Sequence, residues 1–217
     1  MTFLPLTLGV GSTSATEGGR PKTLSKAHME KIFQRDQFTC RFCGFRSIQY
    51  QRCVPYEGDT VTACSFCEQV VALDRAGLAG SGVLIWLPEI SQTDLHHMAR
   101  AIYVARADEA GEMFDAATRA LDALMARRTD AKKRLGSDDP LLLATVLQEN
   151  LTEPQRADAV RKLEGVRLMP LDKYWIHGRQ GETNIFPQIV KFWRSAQGPF
   201  ADLQPDSWRE WLDKIAA

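Results

Sequence analysis

Four of the five cysteines in this chain stand in two pairs whose spacing can bind a metal ion. Each pair has the form Cys-x-x-Cys, and twenty residues separate the inner cysteines; the four are Cys40, Cys43, Cys64 and Cys67. Two thiols three positions apart on a tight turn, here called a knuckle, bind one side of a tetrahedral ion, and a second knuckle closes the other side. Four thiolates leave no open coordination position, so we predict one structural Zn²⁺ rather than a catalytic metal.

The remaining residues with metal-binding or catalytic side chains are weaker candidates. Cys53 is either a reactive thiol or substitute ligand, or a buried small hydrophobic residue, and we favour the second interpretation. His96 and His97 are neighbours on a predicted helix, where adjacent side chains point about 100° apart and chelate poorly, so we expect surface or helix-end histidines. His177 lies in a predicted loop without a nearby acid. We therefore predict no catalytic residue.

The composition limits the kinds of partner. The chain has 217 residues, 44% hydrophobic and 25% charged, which suits one globular domain or two small ones. Its formal net charge of zero disfavours a protein that works mainly by neutralising phosphates. The charge is uneven, because residues 20–52 carry eight basic against two acidic residues and residues 57–115 carry ten acidic against three basic residues. This distribution suits a protein partner at least as well as DNA.

The sequence also indicates a cellular compartment. Residues 1–14 contain no basic region and no long apolar run, so they do not resemble a signal peptide. No stretch reaches the roughly 18 apolar residues of a membrane-spanning helix. Disulfide scaffolds usually have even numbers of cysteines in secreted chains, and this chain has five. We expect a soluble protein in a reducing compartment, the cytoplasm.

Local patterns predict the order helix, knuckle, hairpin, knuckle, helix. Ser25 begins a helix that reaches Asp36, residues 45–54 form the first strand, residues 56–59 turn, and residues 69–76 are helical. Residues 1–22 combine a short apolar stretch with a Gly/Ser/Thr-rich linker. We therefore divide the start of the chain into an N-terminal segment and linker at residues 1–22 and a zinc-binding unit at residues 23–90.

Helices dominate the prediction for residues 91–217, which we expect to pack on the zinc-binding unit. An apolar run at residues 83–87 predicts a buried strand before it, and Ser91 with Asp94 predicts a capping box. The helix behind that box pairs with a longer helix at residues 109–135. Further helices are predicted after residues 138 and 152, and at residues 185–195 and 207–215. The C-terminal aromatics are expected in the core, although Trp208 and Trp211 would mark an interface if exposed.

Two segments resemble zinc-stabilised HNH nucleases, namely residues 32–44 and residues 59–67. The resemblance implies an α+β, treble-clef or HNH-like zinc unit with a small β-hairpin. An HNH nuclease needs a histidine base on the hairpin and histidine or asparagine metal ligands. No histidine occurs here between His28 and His96, the hairpin carries Arg52 and Cys53, and Glu68 follows the second knuckle. We therefore expect no nuclease activity.

Three motifs together are similar to the IcmJ/DotN family of type IVB (Dot/Icm) secretion systems. They are Asp36-x-Phe-Thr-Cys-x-Phe-Cys-Gly-Phe, Val61-Thr-Ala-Cys-x-Phe-Cys and Ile85-Trp-Leu-Pro-Glu-Ile-Ser-Gln. The resemblance implies an HNH-like fold without nuclease activity, with the four cysteines as zinc ligands. It also implies partners, namely the cytoplasmic extension of the coupling-protein ATPase and other coupling-complex subunits, which would hold the protein at the inner membrane. It does not identify a partner-binding surface.

Three functions remain open from the sequence. We favour a non-catalytic adaptor of a type IVB coupling complex. One alternative is a divergent HNH-type, metal-dependent DNA endonuclease with an unrecognised base. The other is a zinc-knuckle nucleic-acid-binding protein, whose phosphate contacts would come from the basic residues around the first knuckle: Lys31, Arg35, Arg41, Arg46 and Arg52. Because the net charge is zero, we interpret these residues as an ordinary charged face and expect no nucleic-acid partner.

Overall fold

The computed structural model describes residues 2–10, 24–148, 155, 158–159, 162–178, 181–202, 205 and 208. Over these residues, α-helices alternate with short strands that pair into two-stranded antiparallel sheets. This mixture confirms the predicted α+β class at the level of helices and small hairpin sheets. None of the described helices is both long and apolar enough to cross a lipid bilayer.

The first elements form a helix and a hairpin, as predicted. They are α1 (Lys26–Arg35), β1 (Gln51–Tyr56) and β2 (Asp59–Cys64). The side chain of Ser25 caps α1 by accepting a hydrogen bond from the backbone N–H of His28 at 3.2 Å. Glu57 and Gly58 form the two-residue turn with φ of 47° and 84°. Positive φ at both positions gives a turn whose twist matches that of the paired strands.

The first strand begins later than predicted, at Gln51 rather than at residue 45. The intervening segment folds back on the first knuckle instead of pairing with β2. Cys40 N–H donates to the carbonyl of Phe45 at 2.9 Å, and Ser47 N–H donates to the carbonyl of Phe38 at 2.9 Å. These bonds use the backbone groups that a longer strand would need, so the hairpin is shorter than its sequence pattern indicates.

The helix predicted at residues 69–76 is two short helices. They are α2 (Ser65–Val71) and α3 (Leu73–Leu78). The chain breaks at Ala72, which has φ −139° and ψ 63°. Gly9 stabilises this break in the helix. Its carbonyl accepts a hydrogen bond from Leu73 N–H at 3.0 Å, and its N–H donates to the carbonyl of Val70 at 2.9 Å. The N-terminal segment thus replaces helical hydrogen bonds at this point.

The middle of the chain contains one strand and several helices. They are β3 (Gly82–Trp86), α4 (Gln92–Ala105), a 3₁₀ turn (Arg106–Asp108), α5 (Glu112–Ala126), α6 (Arg128–Leu135) and α7 (Pro140–Gln148). The capping box is confirmed, because Asp94 N–H bonds the hydroxyl of Ser91 at 3.1 Å and the Ser91 N–H bonds the Asp94 carboxyl at 3.4 Å. α4 packs against α5 as the predicted helical pair.

The single helix predicted at residues 109–135 is interrupted at Arg127, between α5 and α6. The carbonyl of Arg127 accepts a hydrogen bond from the N–H of Trp86 in β3 at 3.2 Å. α6 packs along the edge of β3 that does not pair with β4. The N–H groups of Leu84 and Trp86 on that edge donate to the carbonyls of Asp138 and Arg127, on either side of α6. The Arg127 carbonyl also accepts from Ala131 N–H at 3.3 Å, so the break coincides with a contact to β3.

The last described elements are β4 (Val166–Pro170), β5 (Trp175–Gly178), β6 (Gly181–Asn184) and α8 (Phe186–Trp193). β4 pairs antiparallel with β3, and the strand predicted at residues 83–87 is buried there, with Leu84 and Ile85 at most 1% exposed. From α8, the ring of Trp193 lies 5.7 Å from the ring of Phe45 and 5.7 Å from that of Phe66. The C-terminal aromatics thus contact both knuckles, while the division into units at residues 22/23 and 90/91 stays a prediction.

Several predicted features fall on residues outside the described part of the chain. They are the linker after residue 10, most of the helix predicted from residue 152, most of the helix predicted at residues 207–215, and Trp211. Trp208 is described, and its ring lies 6.5 Å from that of Phe200. It is half-buried, so it is not the exposed interface marker considered above.

Candidate metal centre

The four paired cysteines meet in one place, and we call them the four-cysteine cluster (Cys40, Cys43, Cys64 and Cys67). All their sulfurs lie within 4.8 Å of one another, and all four residues are buried. The Sγ atoms of Cys43 and Cys64 are 3.7 Å apart. A tetrahedral ion with metal–sulfur bonds of about 2.3 Å needs sulfurs roughly 3.8 Å apart. The cluster therefore has the donors and the spacing to hold one metal ion.

Local backbone geometry positions both knuckles. In the first, Gly44 N–H donates to the carbonyl of Cys40 at 3.0 Å, and Gly44 has φ +73°, a conformation that favours glycine. In the second, Cys64 is the N-cap of α2, and the backbone N–H of Cys67 points to the Cys64 sulfur at 3.4 Å. The second knuckle is thus the first turn of a helix, which explains its three-residue spacing.

α4 places a buried cation against the cluster. Arg100 is 1% exposed, and its Nη2 lies 2.7 Å from Sγ of Cys64 and 3.5 Å from Sγ of Cys43. Its guanidinium also stacks over the ring of Phe45 at 4.1 Å and over that of Phe66 at 5.1 Å. Among the described residues Arg100 has no carboxylate partner. A buried cation needs a negative partner, so the cluster sulfurs must carry that charge.

The same helix places a buried histidine on another sulfur. Nδ1 of His96 lies 3.3 Å from Sγ of Cys67, and Nε2 of His96 lies 2.9 Å from the side-chain nitrogen of Gln92. β4 fixes the Gln92 amide, because Leu168 N–H donates to its Oε1 and its Nε2 donates to the Leu168 carbonyl, both at 2.8 Å. Gln92 therefore donates to Nε2 of His96, which assigns the ring proton to Nδ1 and makes Cys67 its acceptor.

The titration of these groups follows from burial and from each other. Burial lowers the pKa of His96 to about 3, so the ring is neutral. Burial alone would raise the pKa of Cys64, but hydrogen bonds from the other three cluster thiols and the charge of Arg100 hold it well below its ordinary value. Burial raises the pKa of Cys40 and of Cys67 well above theirs. A cation at the centre would favour the thiolate form of all four.

The chain is similar to the type 4 apparatus protein DotN of Legionella pneumophila, with 38% identity over 96 residues. The similarity is confined to those 96 residues. This match confirms the resemblance to the IcmJ/DotN family that the three sequence motifs indicated. The match covers 40% of this chain and 45% of DotN, so the chain spans less than half the length of this relative. No family model matches the chain.

One expectation from the sequence is wrong. His96 is not a surface or helix-end histidine, because it is 0% exposed and faces the cluster. His97 is exposed, and its Nε2 lies 2.9 Å from the backbone carbonyl of Cys43. A signal for the buried set was present in the sequence, since Gln92, His96 and Arg100 recur every four residues on one face of an amphipathic helix. Three polar residues on an otherwise apolar face indicate a buried polar partner.

Cys53 is separate from the cluster. It lies on β1 opposite Thr62 and is half-buried. Burial raises the pKa of its thiol to about 11, so it is a neutral thiol near neutral pH. It behaves more like a small hydrophobic side chain than like a nucleophile.

A second polar group lies on the hairpin side, and we call it the hairpin triad (Arg52, Glu68 and Tyr174). Nε of Arg52 donates to the hydroxyl of Tyr174 at 2.6 Å, and that hydroxyl donates to the Glu68 carboxylate at 2.5 Å. Burial raises the pKa of Tyr174, which keeps its hydroxyl protonated. Arg52 on β1 and Glu68, the residue after the second knuckle, are thereby joined to a tyrosine from the C-terminal part of the chain.

The basic residues around the first knuckle are mostly paired with acids. Arg35 and Arg41 share the buried carboxylate of Asp36, at 3.0 Å and 3.4 Å. Nε of Arg52 lies 3.8 Å from the Glu68 carboxylate. Three of the five candidate phosphate contacts therefore already face carboxylates, and the face is not a strip of free positive charge.

Proposed function

We propose that this protein is a non-catalytic structural subunit of a type IVB (Dot/Icm) secretion apparatus, folded around one zinc ion. The buried four-cysteine cluster carries the proposal, because its four sulfurs close a tetrahedral site and leave no position for a substrate. The homology to a type 4 apparatus protein supplies the cellular context.

Zinc is the metal that best suits this donor set. Four thiolates in tetrahedral arrangement are typical of structural Zn²⁺, which has no preferred geometry of its own and no redox chemistry. Bound zinc would keep the four thiols deprotonated and join the two knuckles. The hairpin lies between the two knuckles, so the ion would hold the unit of residues 23–90 together.

The element order is that of a nuclease-like zinc unit, but the residues at the hairpin argue against a nuclease reaction. The order of α1, knuckle, hairpin, knuckle and α2 agrees with a treble-clef or HNH-like unit. At the hairpin, however, Arg52 is hydrogen-bonded in the triad and Cys53 has a pKa of about 11, so neither can act as a general base near neutral pH. Glu68, the residue after the second knuckle, is occupied by Tyr174.

The proposed partner is the cytoplasmic extension of the coupling-protein ATPase, with other coupling-complex subunits. This follows from the family resemblance, and the paired charges of the first knuckle agree with a protein partner better than with nucleic acid. The protein would work in the cytoplasm and reach the inner membrane only through that complex.

Affinity capture tests this function. The tagged full chain is purified from its native host in mild detergent, and the captured proteins are identified and quantified by mass spectrometry. We expect about one membrane-anchored coupling ATPase per tagged chain for the native sequence and for Cys53→Ser, and loss of the ATPase with Cys64→Ser. Capture of nucleic acid without the ATPase, together with plasmid nicking in Mg²⁺, would overturn the proposal.

A further inference from the structure

We propose that Arg100 and His96 are dedicated hydrogen-bond donors to the metal-bound sulfurs and control how firmly the cluster retains its metal. The inference rests on the proposed zinc centre and goes beyond it, because it assigns a role to residues that bind no metal themselves. Both residues come from α4, which lies outside the two knuckles in the sequence.

Charge balance supports a specific role for Arg100. Four thiolates around a divalent ion leave a net charge of about −2, and such a charge is costly in a buried, low-dielectric site. The guanidinium of Arg100 brings a positive charge within 2.7 Å of one sulfur and 3.5 Å of a second. Two aromatic rings, from Phe45 and Phe66, hold it in place. Arg100 is therefore the counter-ion of the centre.

Geometry supports the role of His96. Its ring is held in one tautomer because the Gln92 side chain is fixed by two hydrogen bonds of 2.8 Å to the backbone of Leu168 in β4. The Nδ1–H of His96 then points at Cys67, a sulfur that Arg100 does not reach. The two α4 donors thus contact three of the four cluster sulfurs between them.

Hydrogen-bond donors of this kind change the electron density on the ligand sulfur rather than the fold of the chain. A hydrogen bond to a thiolate stabilises its negative charge, so that protons and competing chelators attack it less readily. Replacing residues that hydrogen-bond to metal ligands typically weakens metal affinity by about 10–100-fold. We therefore expect these two side chains to act mainly on the rate of metal loss.

Metal transfer from the full chain to a chelating dye tests the inference. Zn²⁺ release to 4-(2-pyridylazo)resorcinol is measured for Arg100→Met and Arg100→Lys, and for His96→Leu and His96→Asn. Arg100→Met removes the charge and is expected to release Zn²⁺ about tenfold faster or more. Arg100→Lys keeps the charge and His96→Asn keeps a donor near the Nδ1 position, so both should restore slower release than their apolar counterparts.

Two control substitutions make the same chemical change elsewhere. Arg119 on α5 and His28 on α1 are exposed, so Arg119→Met and His28→Leu should leave the release rate unchanged. The sulfur-to-metal charge-transfer band of the Co²⁺-loaded protein supplies a second readout. It should shift in Arg100→Met and His96→Leu and stay in place in the controls, because it reports electron density on the sulfurs rather than stability.

The outcomes separate the inference from the proposed function. One equivalent of Zn²⁺ with native release rates and an unshifted Co²⁺ band in both apolar variants would overturn the role of α4 and leave the zinc centre standing. A native chain that binds neither Zn²⁺ nor Co²⁺ would overturn both. If Arg100→Met does not fold, the comparison of His96→Leu with His96→Asn decides, and equal release rates in that pair would contradict the inference.

Discussion

The four-cysteine cluster and the hairpin triad are two neighbouring polar groups, since Glu68 directly follows Cys67, yet they are stabilised differently. The cluster and its counter-ion Arg100 are buried, and four thiolates there would carry more negative charge than Arg100 alone offsets. The triad is more open, with the side chains of Arg52 and Glu68 38% and 17% exposed, and it balances by itself. A shared tyrosine hydroxyl satisfies both members.

The difference predicts where substitutions will matter. A buried polar network is costly when one member is lost, because the remaining groups keep their charge and have no water to replace the partner. A solvent-accessible network loses little, because water takes the place of the missing group. Changes to the cluster cysteines should therefore alter folding and metal content, and changes in the triad should alter neither by much.

The largest effect is expected for Cys64→Ser. Zinc binding supplies about 10–16 kcal/mol of apparent free energy in small finger peptides, so losing one ligand should abolish stoichiometric zinc binding and unfold residues 23–90. The measurements are metal content by mass spectrometry and thermal unfolding by circular dichroism. Cys53→Ser is the matched control, expected to keep its zinc and its melting temperature. A Cys64→Ser protein with a full equivalent of zinc and native melting would contradict the metal assignment.

A smaller loss is expected for Asp36→Asn. Asp36 is 1% exposed and accepts from Arg35, Arg41 and the N–H of Thr62, so its removal should cost about 2 kcal/mol of unfolding free energy. Asp59→Asn is the control, because Asp59 meets Arg35 with a side chain that is 64% exposed, and we expect less than about 1 kcal/mol. Urea unfolding of the zinc-loaded proteins measures both.

The stabilisation from Asp36 should also depend on pH. Burial alone would raise the pKa of Asp36, but its hydrogen bonds with Arg35 and Thr62 outweigh burial and lower it below the ordinary 3.8. A carboxyl whose pKa is lower in the folded state contributes fully above its unfolded pKa and loses that contribution as the pH falls through the folded pKa. The difference between the native chain and Asp36→Asn should therefore shrink below about pH 4. A difference that grows as the pH falls, while the chain still holds its zinc, would contradict this cause.

Local sequence patterns predicted the parts of the molecule that depend on neighbouring residues. The two knuckles, the Ser25 cap and the capping box at Ser91 are set by side chains within three positions of each other. The sequence did not reveal the breaks at Ala72 and Arg127, where segments distant in the chain contact the helices. At Ala72, backbone groups of Gly9 take hydrogen bonds that a continuous helix would make. At Arg127, the carbonyl accepts from Trp86 N–H in addition to Ala131 N–H.

The candidate site divides in the same way. Its four sulfurs follow from spacing alone, whereas Arg100 and His96 reach them only because β4 and α4 pack together through Gln92. The strands β4, β5 and β6 were also missed, since residues 166–184 lack a strict alternation of apolar and polar residues. Contacts between segments distant in the sequence determine both the positions of Arg100 and His96 and the pairing of these strands.

Two glycines allow the first knuckle to be compared with the hairpin tip through smaller losses of unfolding free energy. Gly44, at the first knuckle, has φ +73°, and a Cβ there would lie 2.8 Å from the ring of Phe3. Gly58, at the hairpin tip, has φ +84° and open space around it. Alanine should cost about 1 kcal/mol at Gly58 from backbone strain alone, and about 2 kcal/mol at Gly44, where the ring must also move. Equal losses in urea unfolding would show that the N-terminal segment does not pack on the first knuckle.

The smallest effect is expected for Tyr174→Phe, which removes the hydroxyl that joins the hairpin triad. Arg52 and Glu68 would then be 3.8 Å apart with water available to both, so we expect a loss of about 1 kcal/mol or less in urea unfolding and no change in zinc content. Tyr50→Phe serves as the control, because the Tyr50 ring packs on Phe192 and its change also removes one hydroxyl. Loss of zinc in Tyr174→Phe would show that the two polar groups are coupled through the hairpin, and would contradict the independence on which the comparison rests.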